Sequence, residues 1–290
     1  MDTLIKRLSF HLDLHRLATL LSIPSVTGDE ARLVAFLGDL LAEKGITYTQ
    51  DDMGNIMATK GNATHYPCLV AHTDTVHRID GEIDIRKVVR PDAQGVEQLA
   101  LTGFAPGTDD PRGCGGDDKA GVFACLEIMD RLDACKVFFA VSEETGCHGS
   151  KAAPAEWFHD VGYFIQFDSP HNDTMSGTLL GVPVYNPEGR MHGMIHEQLK
   201  GINPKSHPYT DVAILGQRFG VECLNLPAGY YKYHRANEYV VVNDVECAID
   251  LGVDLVERLG NKRYEFVKPT PQVNHYTGSV PSYFNKYTLN

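Results

Sequence analysis

An α/β fold is the architecture this chain predicts: a three-layer sandwich with a mostly parallel central sheet flanked by helices. Three observations carry it. Short, uninterrupted apolar runs at 68–71, 136–141, 161–167 and 221–226 alternate with longer stretches of helical periodicity. Runs without polar alternation suit strands covered on both faces, as parallel strands are. Acids and histidines follow the runs at once: His72-Thr73-Asp74 after the first, Ser142-Glu143-Glu144 after the second, Asp168 after the third. In open α/β sheets ligands gather beyond the carboxyl ends of strands, so these groups are expected at one edge of the sheet.

Taken in order, Leu4 to Ile23 carries leucines at helical spacing and Pro24 ends it. Thr27-Gly28-Asp29-Glu30 fits a capping box. Leu33, Phe36, Leu37, Leu40 and Leu41 form one helix face, which Gly45 stops. Residues 46–51 and 55–59 read as short strands around a turn at Met53-Gly54-Asn55. Residues 78–112 read as polar and irregular, with a possible hairpin turn at Gln94-Gly95. Gly113 to Gly121 is glycine-rich, holds the adjacent acids Asp117 and Asp118, and leads into a helix through Met129. Gly177 to Tyr185 is strand-like and 188–199 helix-like. Asn243 with Glu246 fits a second capping box, before an apolar pattern that runs to Leu259. Residues 1–265 are expected to form one domain and 266–290 a C-terminal surface arm.

The 290 residues include 43% hydrophobic and 22% charged, enough for a sizeable core. The net charge of −12 argues against nucleic acid or an anionic membrane as the main partner. No apolar run has the length of a membrane span, and the N-terminus reads as amphipathic rather than as a signal-peptide core. Seven cysteines without a C-x-x-C pair, most of them inside apolar segments, point to a cytoplasmic chain with reduced, buried thiols.

Each polar group has an ordinary reading by itself. His72 can be a satisfied strand-end histidine, Glu143-Glu144 a solvated corner, Asp168 a helix cap, and Asp117-Asp118 a helix N-terminus. Together, histidines and carboxylates are a ligand set that suits Zn²⁺, with Co²⁺ or Mn²⁺ as alternatives. One carboxylate can bridge two such ions.

Ala71-His72-Thr73-Asp74, Gly116-Asp117-Asp118-Lys119-Ala120-Gly121, Ser142-Glu143-Glu144-Thr145-Gly146, Phe167-Asp168-Ser169 and His234 with Asn237-Glu238 resemble the ordered motifs of the co-catalytic zinc exopeptidases. These are the M20, M28 and M42 peptidase families, and the likeness is strongest to the catalytic domain of tripeptidase-T-like M20 enzymes. Ile23 to Glu30, Asp52 to Asn55, Thr210-Asp211 and Leu226-Pro227 extend the resemblance over about residues 15–260. It implies two divalent metal ions: Asp117 as the shared ligand, His72 and Asp168 completing one site, Glu144 and His234 the other. It also implies Glu143 as the general base toward the attacking water, Asp74 as acceptor from the far nitrogen of His72, and a cis peptide at Asp117–Asp118.

One departure stands out. Larger M20 enzymes carry a lid or dimerisation domain between the counterparts of Asp168 and His234, and here too few residues intervene. A monomer without a lid is therefore the expected form. The lid histidine that helps hold the oxyanion is then missing, which leaves His192, His196, His207, Tyr209, Tyr230 and Arg235 as possible substitutes. The implied activity is cleavage of short peptides by an aminopeptidase. The alternatives are an N-acyl amino acid deacylase with the same centre and an inactive metal-binding protein. Carboxylates in the specificity pocket would mark a peptidase that holds a free amine. Arg or Lys there would mark an enzyme that holds a carboxylate.

Overall fold

The computed structural model describes residues 12–79, 81–179 and 182–266. The expected arm at 266–290 lies, apart from its first residue, outside the described residues, as does the start of the Leu4–Ile23 helix. The elements run α1 (Leu14–Ser22), α2 (Ala31–Glu43), β1 (Thr47–Gln50), β2 (Ile56–Lys60), β3 (Tyr66–His72), β4 (Asp84–Pro91), β5 (Glu97–Phe104), α3 (Gly116–Arg131), β6 (Cys135–Ala140) and α4 (His148–Ala152). A 3-10 turn (Ala155–Phe158) precedes β7 (Val161–Ser169), β8 (Thr174–Leu179), β9 (Val182–Pro183), α5 (Arg190–Ile195), β10 (Asn203–His207) and α6 (Asp211–Phe219). The chain continues through β11 (Cys223–Pro227), β12 (Tyr230–Tyr231), β13 (Tyr239–Val241) and α7 (Val242–Leu259).

The central sheet has six strands in the order β1-β2-β6-β3-β7-β11. β6, β3, β7 and β11 are mutually parallel, and β1 and β2 add an antiparallel edge. Every residue of β3, β6, β7 and β11 is buried, as their unbroken apolar runs predict. Alternate residues of β3 enter opposite cores. Leu69 and Ala71 pack with α1, α2, α3 and α7, while Cys68 and Val70 pack with α6 and the Phe158 turn. Helices thus cover both faces, and the sandwich has its three layers.

α3 lies closest to the sheet. A Cβ at Gly121 would stand 2.2 Å from the Phe167 carbonyl oxygen and 2.3 Å from Asp118 Oδ1, so only glycine permits this approach.

Three expectations are corrected. Residues 84–104 are not irregular: β4 and β5 pair along their length, turning where Asp92 Oδ1 accepts from the N–H groups of Gln94 and Val96. With β12 and β13 they form a second, four-stranded sheet. The capping box at Thr27 does not form, because Thr27 Oγ1 donates to Asp74 and Glu30 Oε1 accepts from the Ser142 N–H. Nor does the second box: β13 runs straight into α7, which leaves Asn243 inside the first turn. Both boxes read sequence spacing correctly, but tertiary partners took the side chains.

The segment between β7 and α6 holds the three-stranded sheet β10-β8-β9 and the short α5. All seven cysteines are unpaired, and all but Cys247 are buried. Among the described residues, no helix is long and apolar enough to cross a membrane.

Candidate active site

The carboxyl ends of β3, β6 and β7 and the turn after β12 bring together His72, Asp117, Glu143, Glu144, Asp168 and His234. The two oxygens of Asp117 face two histidines. Oδ1 lies 3.3 Å from His72 Nε2, and Oδ2 lies 3.2 Å from His234 Nε2. Asp168 Oδ1 is 3.4 Å from His72 Nε2, and Glu144 Oε1 is 3.1 Å from His234 Nε2. Two three-membered groups therefore share one carboxylate. Asp117 stands at a break before the regular turns of α3, in extended conformation after Gly115 with φ 62°, and its peptide bond to Asp118 is cis. Glu143 also lies close, with Oε2 4.0 Å from His72 Nε2, but it makes no contact with His234.

Asp118 is within reach of His72 and Asp168 as well. Its carboxylate is already committed to the main chain, accepting from the N–H groups of His72 (3.1 Å) and Gly121 (3.2 Å). It ties β3 to α3 instead of facing the open side.

Asp74 is placed differently from the expectation. His72 Nδ1 lies 2.9 Å from the Asp74 main-chain carbonyl and 3.4 Å from its carboxylate. The carboxylate's shorter bonds come from the N–H groups of Glu143 (2.8 Å) and Glu144 (3.1 Å) and from Thr27 Oγ1 (2.8 Å). Asp74 thus sets the turn that carries both glutamates.

Glu238 escaped assignment at the sequence level although its motif was noted. It is fully buried, and its carboxylate accepts from the N–H groups of Gly115 (2.7 Å), Cys114 (3.1 Å) and Asp117 (3.1 Å), with His77 Nε2 at 3.0 Å. It clamps the loop that presents Asp117. Lys119 Nζ donates to the Ile23 carbonyl at 2.6 Å and draws the 23–27 segment onto the same loop.

Behind Asp168 lies a buried polar network from strands that otherwise read as apolar. Asn225 Oδ1 accepts from the Asp168 N–H (2.8 Å), which fixes the amide's orientation. Its Nδ2 donates to Ser176 Oγ (3.0 Å) and Thr210 Oγ1 (3.1 Å). Ser176 Oγ lies 3.0 Å from His207 Nδ1. With its oxygen accepting from Asn225, the Ser176 hydroxyl can donate to Nδ1, and the His207 proton then sits on Nε2. Gln166 Oε1 accepts from Thr210 Oγ1 and the Val212 N–H, and Asp211 accepts from Ser150. Gln166 and Asn225 interrupt apolar strands, and a buried amide in such a run is the signal that could have found this network.

The electrostatics are those of an anionic cluster short of positive charge. Burial raises Glu143 well above the usual carboxylate range, and the charges of Asp168, Asp211 and Glu144 add to the rise. Burial pushes Asp168 up to about 7. Burial opposes charge on His72, but its contacts with Asp117, Asp168 and Asp74 outweigh that and drive it well up. Contacts with Asp117 and Glu144 push His234 up to about 10. Protons are thus drawn to every group that can hold one, and divalent cations answer the same need. A mixed set of imidazole nitrogen and carboxylate oxygen donors fits Zn²⁺ and its neighbours.

A cavity of about 600 Å³ opens over the cluster, lined by Asp117, Glu143, Glu144 and Asp168 below and by residues of the 170–174, 205–209 and 230–234 segments around it. Of the substitutes weighed for the missing lid histidine, His207, Tyr209 and Tyr230 line this cavity, and Arg235 lines its neighbour. His192 and His196 line neither.

No family model matches the chain. Among curated proteins, it is 37% identical over 65 residues to a [LysW]-lysine hydrolase of Deinococcus radiodurans, covering 22% of this chain and 17% of that protein. It is 30% identical over 162 residues to a probable carboxypeptidase of Aspergillus clavatus, covering 50% and 31%. The chain thus spans a third or less of the length of these relatives. Among solved structures, the aminopeptidase PepT of Bacillus cereus superposes with a TM-score of 0.66 at 15% identity, over 88% of this chain and 98% of that one. At such identity the likeness speaks for the fold: this chain is built as that aminopeptidase is, around the same kind of α/β sheet.

Proposed function

We propose that this protein is a metal-dependent hydrolase that cleaves peptide bonds in short peptides, with two Zn²⁺ ions as its cofactor. The carrying observation is the division of Asp117 between two histidines, each with one further carboxylate beside it. His72, Asp117 and Asp168 would hold one ion, and Asp117, Glu144 and His234 the other. When bound, the ions polarise the scissile carbonyl and stabilise the charge that develops on its oxygen. The buried, unpaired thiols support a reducing, cytoplasmic setting.

Glu143 acts as the base. It takes a proton from the water that attacks the carbonyl carbon, and the C–N bond breaks as the same proton passes to the leaving amine. Asp74 keeps Glu143 and Glu144 in their separate tasks by holding both N–H groups of their turn. His207 supplies the donor that a lid provides elsewhere. With Nδ1 engaged by Ser176, its Nε2–H is free for the oxyanion. Burial lowers His207 from the ordinary imidazole range, which keeps it neutral and suited to donate.

Two measurements test this reading. A metal-supplemented screen against amino-acid amides, dipeptides, tripeptides and N-acetyl amino acids should give turnover that a chelator abolishes. No turnover of any of them with Zn²⁺, Co²⁺ or Mn²⁺ would sink the hydrolase. His207→Ala should lower kcat by about 10²-fold with little change in KM, the size of one lost oxyanion donor. His207→Gln, which keeps an N–H donor, should recover part of the loss. An unchanged kcat in His207→Ala removes that role. The N-acyl amino acid reading uses the same centre, and the charge of the adjoining cavity favours keeping it.

A further inference from the structure

We infer that the cavity beside the ligand cluster is a subsite for a carboxylate of the substrate. The protein then takes short peptides or acylated amino acids that carry a free carboxylate near the bond it cleaves. This inference rests on the hydrolase reading above and narrows its substrate class.

A second cavity, of about 480 Å³, is lined by His171, Lys232, Tyr233, His234 and Arg235. It shares His171, Tyr233 and His234 with the larger cavity over Asp117 and Glu143, so the two are continuous. Lys205 lines the larger cavity near this junction. Three cations thus surround a path that starts at the cluster.

None of the three has an anionic partner: the side chains of Lys205, Lys232 and Arg235 make no ion pair or hydrogen bond among the described residues. The composition makes this informative. With 26 Lys and Arg against 38 Asp and Glu, a base has more acids than bases to pair with. Elsewhere Arg16, Lys44, Arg86, Arg131, Lys136, Lys200, Arg258 and Arg263 are all paired. The exceptions collect at one mouth, where they repel one another until an anion arrives.

The backbone holds them there. His171, Lys232 and His234 have φ of 67°, 55° and 60°, a left-handed conformation that ordinary side chains rarely adopt. Strained backbone of this kind clusters at ligand-binding segments. The main chain also links the two loops, as the His171 N–H donates to the Tyr230 carbonyl at 2.9 Å.

The occupant follows from the chemistry. A planar guanidinium with an ammonium beside it suits a carboxylate, which can accept two hydrogen bonds from Arg and one from Lys. A protonated amine would be repelled. The one acid besides the cluster's own four that lines either cavity is Asp173, and it lines only the larger. The cavity therefore answers the question that the motifs left open, in favour of an enzyme that holds its substrate by a carboxylate.

The carboxylate can be a chain terminus or an acidic side chain, and three probes separate these: trialanine, trialanine amide, and the amide of Ala-Ala-Glu. Binding is measured by calorimetry to the full-length, Zn²⁺-loaded Glu143→Gln protein, which does not turn the probes over. Trialanine should bind at least about tenfold tighter than its amide, and the preference should shrink as NaCl rises from about 0.05 to 0.5 M. Adding Lys232→Ala and Arg235→Ala together should bring the free acid to the affinity of the amide. If Ala-Ala-Glu amide binds as trialanine does, the carboxylate is a side chain's. If acid and amide bind equally, or neither binds, or the double variant keeps the preference, the subsite is refuted. The salt dependence, read without those two substitutions, stands even if the double variant folds poorly. Hydrolysis by the wild type is scored separately. Acid-selective binding without cleavage refutes the hydrolase and leaves the subsite.

Discussion

Glu143→Gln is expected to lower kcat at least about 10²-fold, the usual scale of a lost general base, while metal content and melting temperature stay at wild-type values. Gln keeps the shape of Glu and cannot take a proton. The fold should tolerate it, because the turn is held through the Glu143 main-chain N–H bonded to Asp74. The side chain's nearest polar neighbour is Cys147 Sγ at 3.6 Å from Oε1, a weak contact. Its neighbour should fail in another way. Glu144 Oε1 lies beside His234 Nε2, so Glu144→Gln should weaken one metal position, and excess Zn²⁺ should restore part of the activity. Steady-state kinetics beside metal analysis separates the two. A fully active Glu143→Gln protein would leave the mechanism without a base.

Asp117→Asn should cost more than any other isosteric change. A carboxamide offers one oxygen and one NH₂, so it can serve at most one ion where Asp117 offers an oxygen to each side. Bound metal should fall from two ions per chain to one or fewer, and kcat by about 10³-fold or more, the loss of several kcal/mol of charge stabilisation. A second readout is independent of activity. A ligand that binds only the folded state stabilises it by about 2.7 kcal/mol at a hundred times its Kd, so Zn²⁺ should raise the wild-type melting temperature and raise that of Asp117→Asn much less. The variant should still fold, since Glu238 grips the loop through main-chain N–H groups that the substitution leaves in place. Equal metal content and equal thermal response in the two proteins would dissolve the idea of a shared ligand.

The sequence by itself determined the layered fold and the edge at which its polar groups meet. Both follow from local pattern. Unbroken apolar runs require cover on both faces, and residues directly after parallel strands emerge at one end. His72, Glu143, Glu144 and Asp168 could be placed from this alone. Asp117 and His234 entered through motif resemblance, because neither directly follows a strand.

Only the tertiary structure decided what each side chain holds. Thr27 and Glu30 have the spacing of a helix cap, yet they bond to Asp74 and Ser142, far along the chain. Asp74 was expected to face His72 and instead spends its shorter carboxylate bonds on Glu143, Glu144 and Thr27. Glu238, Asn225 and Gln166 acquire their tasks from partners brought near by sheet order and not by sequence. A hydrogen bond is fixed by a few tenths of an ångström and an angle, whereas periodicity reports only which face of an element is buried. For the same reason the unpaired cations at Lys205, Lys232 and Arg235, scattered in sequence, became a group only once β10 and the turn after β12 met over the cluster.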